Sequence, residues 1–386
     1  MHKRNKRGKK LRAGSPRIRL RRSSGRSWSS SAARCERPWG RPAAAYPERV
    51  LSFSRSLPLT PLPDLLDSAH VVSLPMRVTF RGVTERETVV FRGPAGWGEF
   101  GPFPEYGDAE AAAWLRAGIE AAWQGLPEPV RDRVPVNATV PAVPAERVAD
   151  VLGGYSGQVH AVKIKVAERG QGLADDVARV AAVRHLLPDA ELRVDANAGW
   201  DEDAAVTALS ALSEFRIAYA EQPVASVEGL ASVRRRLREQ GVGTLIAADE
   251  SVRKAEDPLA VARAGAADLI VVKVAPLGGV RRALDVVAQA GLPAVVSSAI
   301  DSSVGIRAGV ALAAALPELP YACGLGTLSL MTADVTAEPL RPVDGFLPVR
   351  DVAVDEALLA EHAVTGERRD WWLDRLRRTH AVLAAQ

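Results

Sequence analysis

Six residues able to do chemistry recur along the middle of this chain at nearly even intervals, each closing a short apolar run. From Lys165 to Asp195 is 30 residues, and the next steps, to Glu221, Asp249, Lys273 and Ser297, are 26, 28, 24 and 24. Such an interval holds one strand, one helix and two short loops. The runs themselves are rich in Val, Ile and Leu, as strands are. The stretches between them (174–187, 201–212, 227–239, 258–264 and 279–290) are rich in Ala, Leu, Arg and Glu. Several open on an acid and end near Gly or Pro, the pattern of helices. Alternating strand and helix builds a parallel sheet. An open doubly wound sheet is the competing architecture, but six polar strand ends meet around one point only if the sheet closes into a ring. The expected fold class is therefore α/β, a (β/α)-barrel of the modified TIM type with an α+β capping domain.

The barrel is expected over residues 158–339, with about eight strand candidates, the last being Leu319-Pro320-Tyr321-Ala322-Cys323-Gly324. Residues 63–157 read as three strands (69–72, 77–81, 87–92) and a helix over 108–124, a cap that residues 340–386 complete with an amphipathic segment carrying Trp371 and Trp372. A cap over a barrel mouth excludes water and selects substrate. Phe80 and Arg81, on a turn ending in Gly82, are its candidates to reach the substrate; a plain surface charge is the other reading of Arg81.

Lysine is rare here. The chain has 50 Lys+Arg, of which only 8 are Lys, four of them in the first ten residues. Three of the remaining four, Lys163, Lys165 and Lys273, sit inside strand-like runs. Arginine cannot give up a proton at usable pH, whereas a buried lysine beside other cations can be drawn down far enough to act as a base. In Val162-Lys163-Ile164-Lys165-Val166 the period of two sends both amines to one face. A solvated sheet face would show the same triplet, but the strand ends that follow argue for chemistry.

Asp195, Glu221 and Asp249 end successive strands and would repel one another if nothing sat between them. They read as oxygen ligands for a hard divalent cation, Mg²⁺ first and Mn²⁺ as the alternative; salt-bridged strand ends are the competing account. Asn197, on the face of Asp195, is placed to orient a ligand. A metal facing lysines describes a site that removes the proton next to a carboxylate, the metal stabilising the charge that develops and the amine taking the proton. Lys163 is the neighbour that lowers the pKa of Lys165.

The order KxK, DxN, ExP, DE and K on consecutive strands resembles the enolase superfamily, muconate-lactonizing subgroup, from about residue 68 onward. That resemblance implies Lys165 as the acid/base lysine, Lys273 as the lysine facing it, Asp195, Glu221 and Asp249 as metal ligands, and Glu250 as their supporting partner. Within the superfamily, Gly96-Trp97-Gly98-Glu99-Phe100-Gly101-Pro102, Ser297-Ser298-Ala299-Ile300-Asp301-Ser302-Ser303 and Gly324-Leu325-Gly326-Thr327 are similar to the o-succinylbenzoate synthase family of menaquinone biosynthesis. This implies dehydration of 2-succinyl-6-hydroxy-2,4-cyclohexadiene-1-carboxylate, with Ser297, Ser298 and Gly324 near the substrate. N-acylamino acid racemase or dipeptide epimerase activity is the alternative within the superfamily. The absence of Asp-x-Asp around Cys323-Gly324-Leu325-Gly326 counts against the dipeptide epimerases.

The charge is divided. The first 49 residues hold 16 Lys+Arg and 2 acids, so the formal net charge of +4 conceals an acidic remainder of net −10. Residues 1–62 are expected to be a disordered basic extension. Its first 49 residues could bind anionic surfaces non-specifically, but an idle tail or an assigned start too far upstream would leave the same composition and is the favoured reading. A non-catalytic nucleic-acid-binding protein using that arm is the distant alternative; it does not explain lysines kept on strands. Cys35 and Cys323 offer no disulfide framework and no run approaches a membrane span, so the expectation is a cytoplasmic enzyme acting on a small carboxylate, with no specific nucleic-acid partner.

Overall fold

A computed structural model describes residues 59–253 and 257–386. The expected basic extension lies outside the described residues up to residue 58, and Leu62 already opens the short helix Leu62–Asp67. The cap begins with an antiparallel sheet of β1 (His70–Phe80), β2 (Val83–Gly93) and β3 (Gly96–Phe100). Arg81 and Gly82 both take positive φ, 53° and 73°, and form the tight turn that pairs Phe80 with Val83. The two strands expected over 69–72 and 77–81 are thus one strand with an irregular register between Pro75 and Phe80. The helix Asp108–Ile119 lies directly on β3 because two glycines meet there: a Cβ on Gly98 would stand 2.1 Å from the carbonyl oxygen of Gly118.

Two further short strands, β4 (Arg133–Pro135) and β5 (Ala138–Val140), lead into the barrel. β5 pairs in parallel with β6 (Ala161–Lys165), which continues through β7 (Glu191–Asp195), β8 (Ile217–Glu221), β9 (Leu245–Ala248), β10 (Leu269–Val272) and β11 (Ala294–Val296) as one seven-stranded sheet. The barrel sheet thus starts at β5, ahead of the boundary expected at residue 158. Three residues among Pro135, Pro141 and Pro144 resemble a loop. The expected eighth strand over 319–324 contracts to two bridging residues, since Pro320 has no N–H to donate. Those two close the ring. Gly324 bridges Ser297 and Cys323 bridges Val136, with Gly324 N donating to Val296 O at 2.8 Å and Cys323 N to Pro135 O at 2.7 Å.

The C-terminal region returns to the cap. β12 (Phe346–Pro348) pairs antiparallel with β4, and the helix Gly366–Ala384 packs on the helix Asp108–Ile119. The same cap helix touches the short helix Val274–Leu277 that begins just after Lys273. The cap is thereby fastened beside one of the expected catalytic lysines.

Candidate active site

All five residues of β6 are buried, so its alternation does not separate core from solvent. It separates two cores. Val162 and Ile164 belong to the large hydrophobic core, while Lys163 and Lys165 reach carboxylates of the neighbouring strands. Register does the placing: Lys165 is level with Asp195, and Asp195 with Glu221. Lys165 Nζ donates to Asp195 Oδ2 at 2.6 Å and also to Asn197 Oδ1. Lys163 Nζ lies 3.3 Å from both Glu221 oxygens and 3.2 Å from Asp195 Oδ2. Lys273 Nζ donates to Asp249 Oδ2, whose other oxygen accepts from Arg253 Nε at 3.0 Å.

The electrostatics separate the two lysines of β6. Burial works against the Lys163 ammonium, but Glu221 and Asp195 outweigh it and hold its pKa above the ordinary lysine value. For Lys165 burial prevails: with Lys163 repulsion added, it outweighs the attraction of Asp195 and leaves this pKa below the ordinary value. One lysine is a locked cation and the other is the readier base. Burial likewise opposes ionisation of Asp195 and Asp249, yet their lysine and arginine partners keep both carboxyls below the usual carboxylate range. Glu221 differs, since burial and then the Asp195 charge push it up to about 7.

Among the described residues no three His, Cys, Asp or Glu side chains stand in a ready metal-holding cluster. Asp195, Glu221 and Asp249 are each turned toward an ammonium instead. Their chemistry nevertheless fits a hard cation. They are buried oxygen donors on adjacent strands, and burial, followed by the Asp195 charge, holds Glu221 above the usual carboxylate range.

The other expected site residues divide. Asn197 joins the site through Lys165, and its Nδ2 donates to Glu250 Oε1 at 3.2 Å. Phe80 is buried with its ring over Lys165 Nζ, 5.4 Å from the centroid. Ser297 and Ser298 turn to the ring closure, both hydroxyls donating to Gly324 O, and Ser298 also meets Thr327 Oγ1 at 2.7 Å. Arg81 is not brought to the amines; its guanidinium lies over the ring of Phe103.

Known proteins share both layers of this architecture. The chain matches the family described as Enolase N-terminal domain-like over residues 71–122 and Enolase C-terminal domain-like over residues 145–353. Muconate lactonizing enzyme from Pseudomonas putida aligns with a TM-score of 0.64 at 24% identity, covering 77% of this chain and 98% of that one. A dipeptide epimerase from Enterococcus faecalis aligns at 0.59 and 23%, covering 74% and 97%. At those identities the likeness shows the fold. o-Succinylbenzoate synthase of Mycolicibacterium smegmatis is 58% identical over 323 residues, 83% of this chain and 98% of its own length. The same enzyme of Mycobacterium tuberculosis is 55% identical over 326 residues, 84% and 97%. The chain belongs to the o-succinylbenzoate synthase family.

In this o-succinylbenzoate synthase family member two further residues, not singled out from the sequence, support the site. Arg253 grips Asp249 and, at 2.7 Å, Glu250; its spacing of four and three residues on the helix Glu250–Arg253 was the available signal. Gln222 takes a positive φ of 38° and uses its amide oxygen to accept from Asp249 N and Ser251 N, fixing the backbone at the end of β9.

A second acidic group borders the site where cap meets barrel. A small cavity, partly open to solvent, is lined by Glu99, Trp114, Lys273, Ser297 and Asp301 among others. Glu99 accepts from Ser302 N, Ser302 Oγ and Gly305 N at the start of the helix Ser303–Ala315. A Cβ on Gly305 would meet Glu99 Cδ at 3.1 Å and Asp301 Cγ at 3.2 Å, so the two carboxyls converge. Burial, and then the Asp301 charge, push Glu99 up to about 8. The folded state thus binds the Glu99 proton more tightly than an unfolded chain with a carboxyl pKa near 4.5. Stability contributed there is complete below that value and is lost as pH rises through about 8. Glu99→Gln is expected to flatten the fall in melting temperature between pH 6 and 8.5 relative to wild type; parallel curves would show that Glu99 carries no native-state proton.

Proposed function

We propose that the chain is a metal-dependent o-succinylbenzoate synthase that dehydrates 2-succinyl-6-hydroxy-2,4-cyclohexadiene-1-carboxylate to 2-succinylbenzoate, a step of menaquinone biosynthesis. The observation that carries the reading is the buried row in which Lys165, the more easily deprotonated amine of β6, stands beside Asp195, Glu221 and Asp249. Members of the enolase superfamily use a divalent metal ion, typically Mg²⁺. Asp195, Glu221 and Asp249 would hold it, and bound there it would supply positive charge to the substrate carboxylate as that group becomes electron-rich.

The chain's own residues do the rest. Lys165 removes the proton from the carbon bearing the carboxylate, and the electron pair left behind forms the new ring double bond as the C–O bond to the neighbouring hydroxyl breaks. Lys165 then returns its proton to the leaving oxygen, so that water departs and the ring is aromatic. Lys163, held cationic, repels a resting proton from Lys165, while Asn197 and Asp195 orient the amine. Lys273 stabilises the developing charge from across the site. Phe80 covers Lys165 and limits its hydration. In this reading 158–339 with β5 is the catalytic barrel, and 63–137 with 340–386 is the cap. Cys323 is a buried free thiol that burial pushes up to about 12, and among the described residues no helix is long and apolar enough to cross a membrane, which fits a cytoplasmic enzyme.

The test is turnover of the cyclohexadiene beside a panel of N-acylamino acids and dipeptides, with α-proton exchange in D₂O as a second readout. Dehydration should dominate, and Lys273→Arg should retain more of it than Lys273→Ala, since only charge is required there. Racemisation much faster than dehydration, with Lys273→Arg as inactive as Lys273→Ala, would assign the chain to racemase chemistry with two working bases.

A further inference from the structure

Phe103 sits on the loop between β3 and the helix Asp108–Ile119, with its ring buried. Two guanidinium carbons lie 4.6 Å from its centroid, those of Arg81 and Arg86. The two arginines are held differently. Arg86 is buried and fixed, donating through Nε to Ile300 O at 2.9 Å and through Nη2 to Gly101 O. Arg81 is exposed, occupies the β1–β2 turn, and forms no ion pair among the described residues. The loop under the ring is anchored from the far side, where Arg375 Nη2 donates to Phe103 O at 2.9 Å and to Tyr106 O at 2.6 Å. Edge-on contacts to Tyr106 and Trp114, with centroids 5.6 and 6.0 Å away, set the plane of the ring. The ring is a fixed platform, and the turn carrying Arg81 rests on it.

The residue before Arg81 is Phe80, whose ring covers Lys165 Nζ. We propose that Phe103 is a positioning residue whose fixed ring clasps Arg81 and so keeps Phe80 closed over the amine of Lys165. Its catalytic consequence rests on the reading of Lys165 as the base; the clasp does not. Closure matters because the covering ring keeps bulk water away from the amine. An exposed contact between a guanidinium and an aromatic face is worth roughly 2- to 5-fold in an equilibrium, so its loss should open the turn that much more often.

Hydrogen exchange of the full-length protein across residues 80–84 reads the clasp directly. Arg81→Met keeps the stem and removes the cation; Phe103→Leu keeps an apolar side chain and removes the aromatic face; Phe103→Tyr keeps the face. Exchange should be about 2- to 5-fold faster in Arg81→Met and Phe103→Leu and as in wild type in Phe103→Tyr, with KM raised by a similar factor in the first two. The double variant Arg81→Met/Phe103→Leu should exchange no faster than the faster single, because both remove one contact. Unchanged exchange in Arg81→Met, or a double variant that multiplies the two single effects, would overturn the proposal. Phe103→Leu also loosens the packing on Trp114, so Arg81→Met, a surface change, keeps the test decisive. If Lys165 proves not to be the base, the exchange result still decides the clasp by itself.

Discussion

Lys165→Arg is expected to lower kcat by at least about 100-fold, within the roughly 10²- to 10⁴-fold that positioned acid/base groups contribute, while leaving the fold intact and divalent-metal affinity nearly unchanged. The substitution preserves a buried cation against Asp195 and Asn197, the two partners of the Lys165 amine. It removes the one thing guanidinium cannot do, which is to exist unprotonated at working pH. Single-turnover dehydration, metal titration and thermal melting together check this. Retention of more than about a hundredth of wild-type activity would take Lys165 out of the role, given the lower end of that range.

Asp195→Asn, Glu221→Gln and Asp249→Asn should each lose metal affinity and turnover together. Each removes one charge from the proposed hard-cation site, and each also leaves a buried ammonium short of its partner: Lys165 and Lys163 for Asp195, Lys163 for Glu221, Lys273 for Asp249. Stripping a buried ion pair of one partner costs about 3–5 kcal/mol, so melting temperatures should fall as well. The measurement that separates the two effects is the stabilisation on adding Mg²⁺, about 2.7 kcal/mol at a hundredfold excess over Kd for an intact site. Wild type should show that gain and the variants should show little of it. Full activity of the wild type in excess chelator would dispose of the metal reading.

The strands that carry the site were readable because their signals are local. Period-two alternation in Val-Lys-Ile-Lys and a polar residue closing each apolar run need only neighbours in sequence. The helices obeyed their caps: Asp201 accepts from Ala204 N and Ser226 from Gly229 N, at the starts expected from composition. β5 was lost because three residues among prolines carry no period. The ring closure at Cys323 and Gly324 was overdrawn as a strand because apolar content does not count hydrogen bonds.

Six polar residues ending successive strands of a parallel sheet, and amines alternating inward on one of them, are written in local sequence pattern alone. The folded barrel and cap set which ammonium each carboxylate meets, that Lys163 is held above and Lys165 below the ordinary lysine value, and that Arg81 rests on Phe103. They also bring Glu99 to Ser302, 203 residues along the chain, and Arg86 to Ile300, 214 along. Secondary structure follows from periodicity and caps within a few residues. Charge state and contact depend on distance and dielectric between groups that only the closed barrel and its cap bring together.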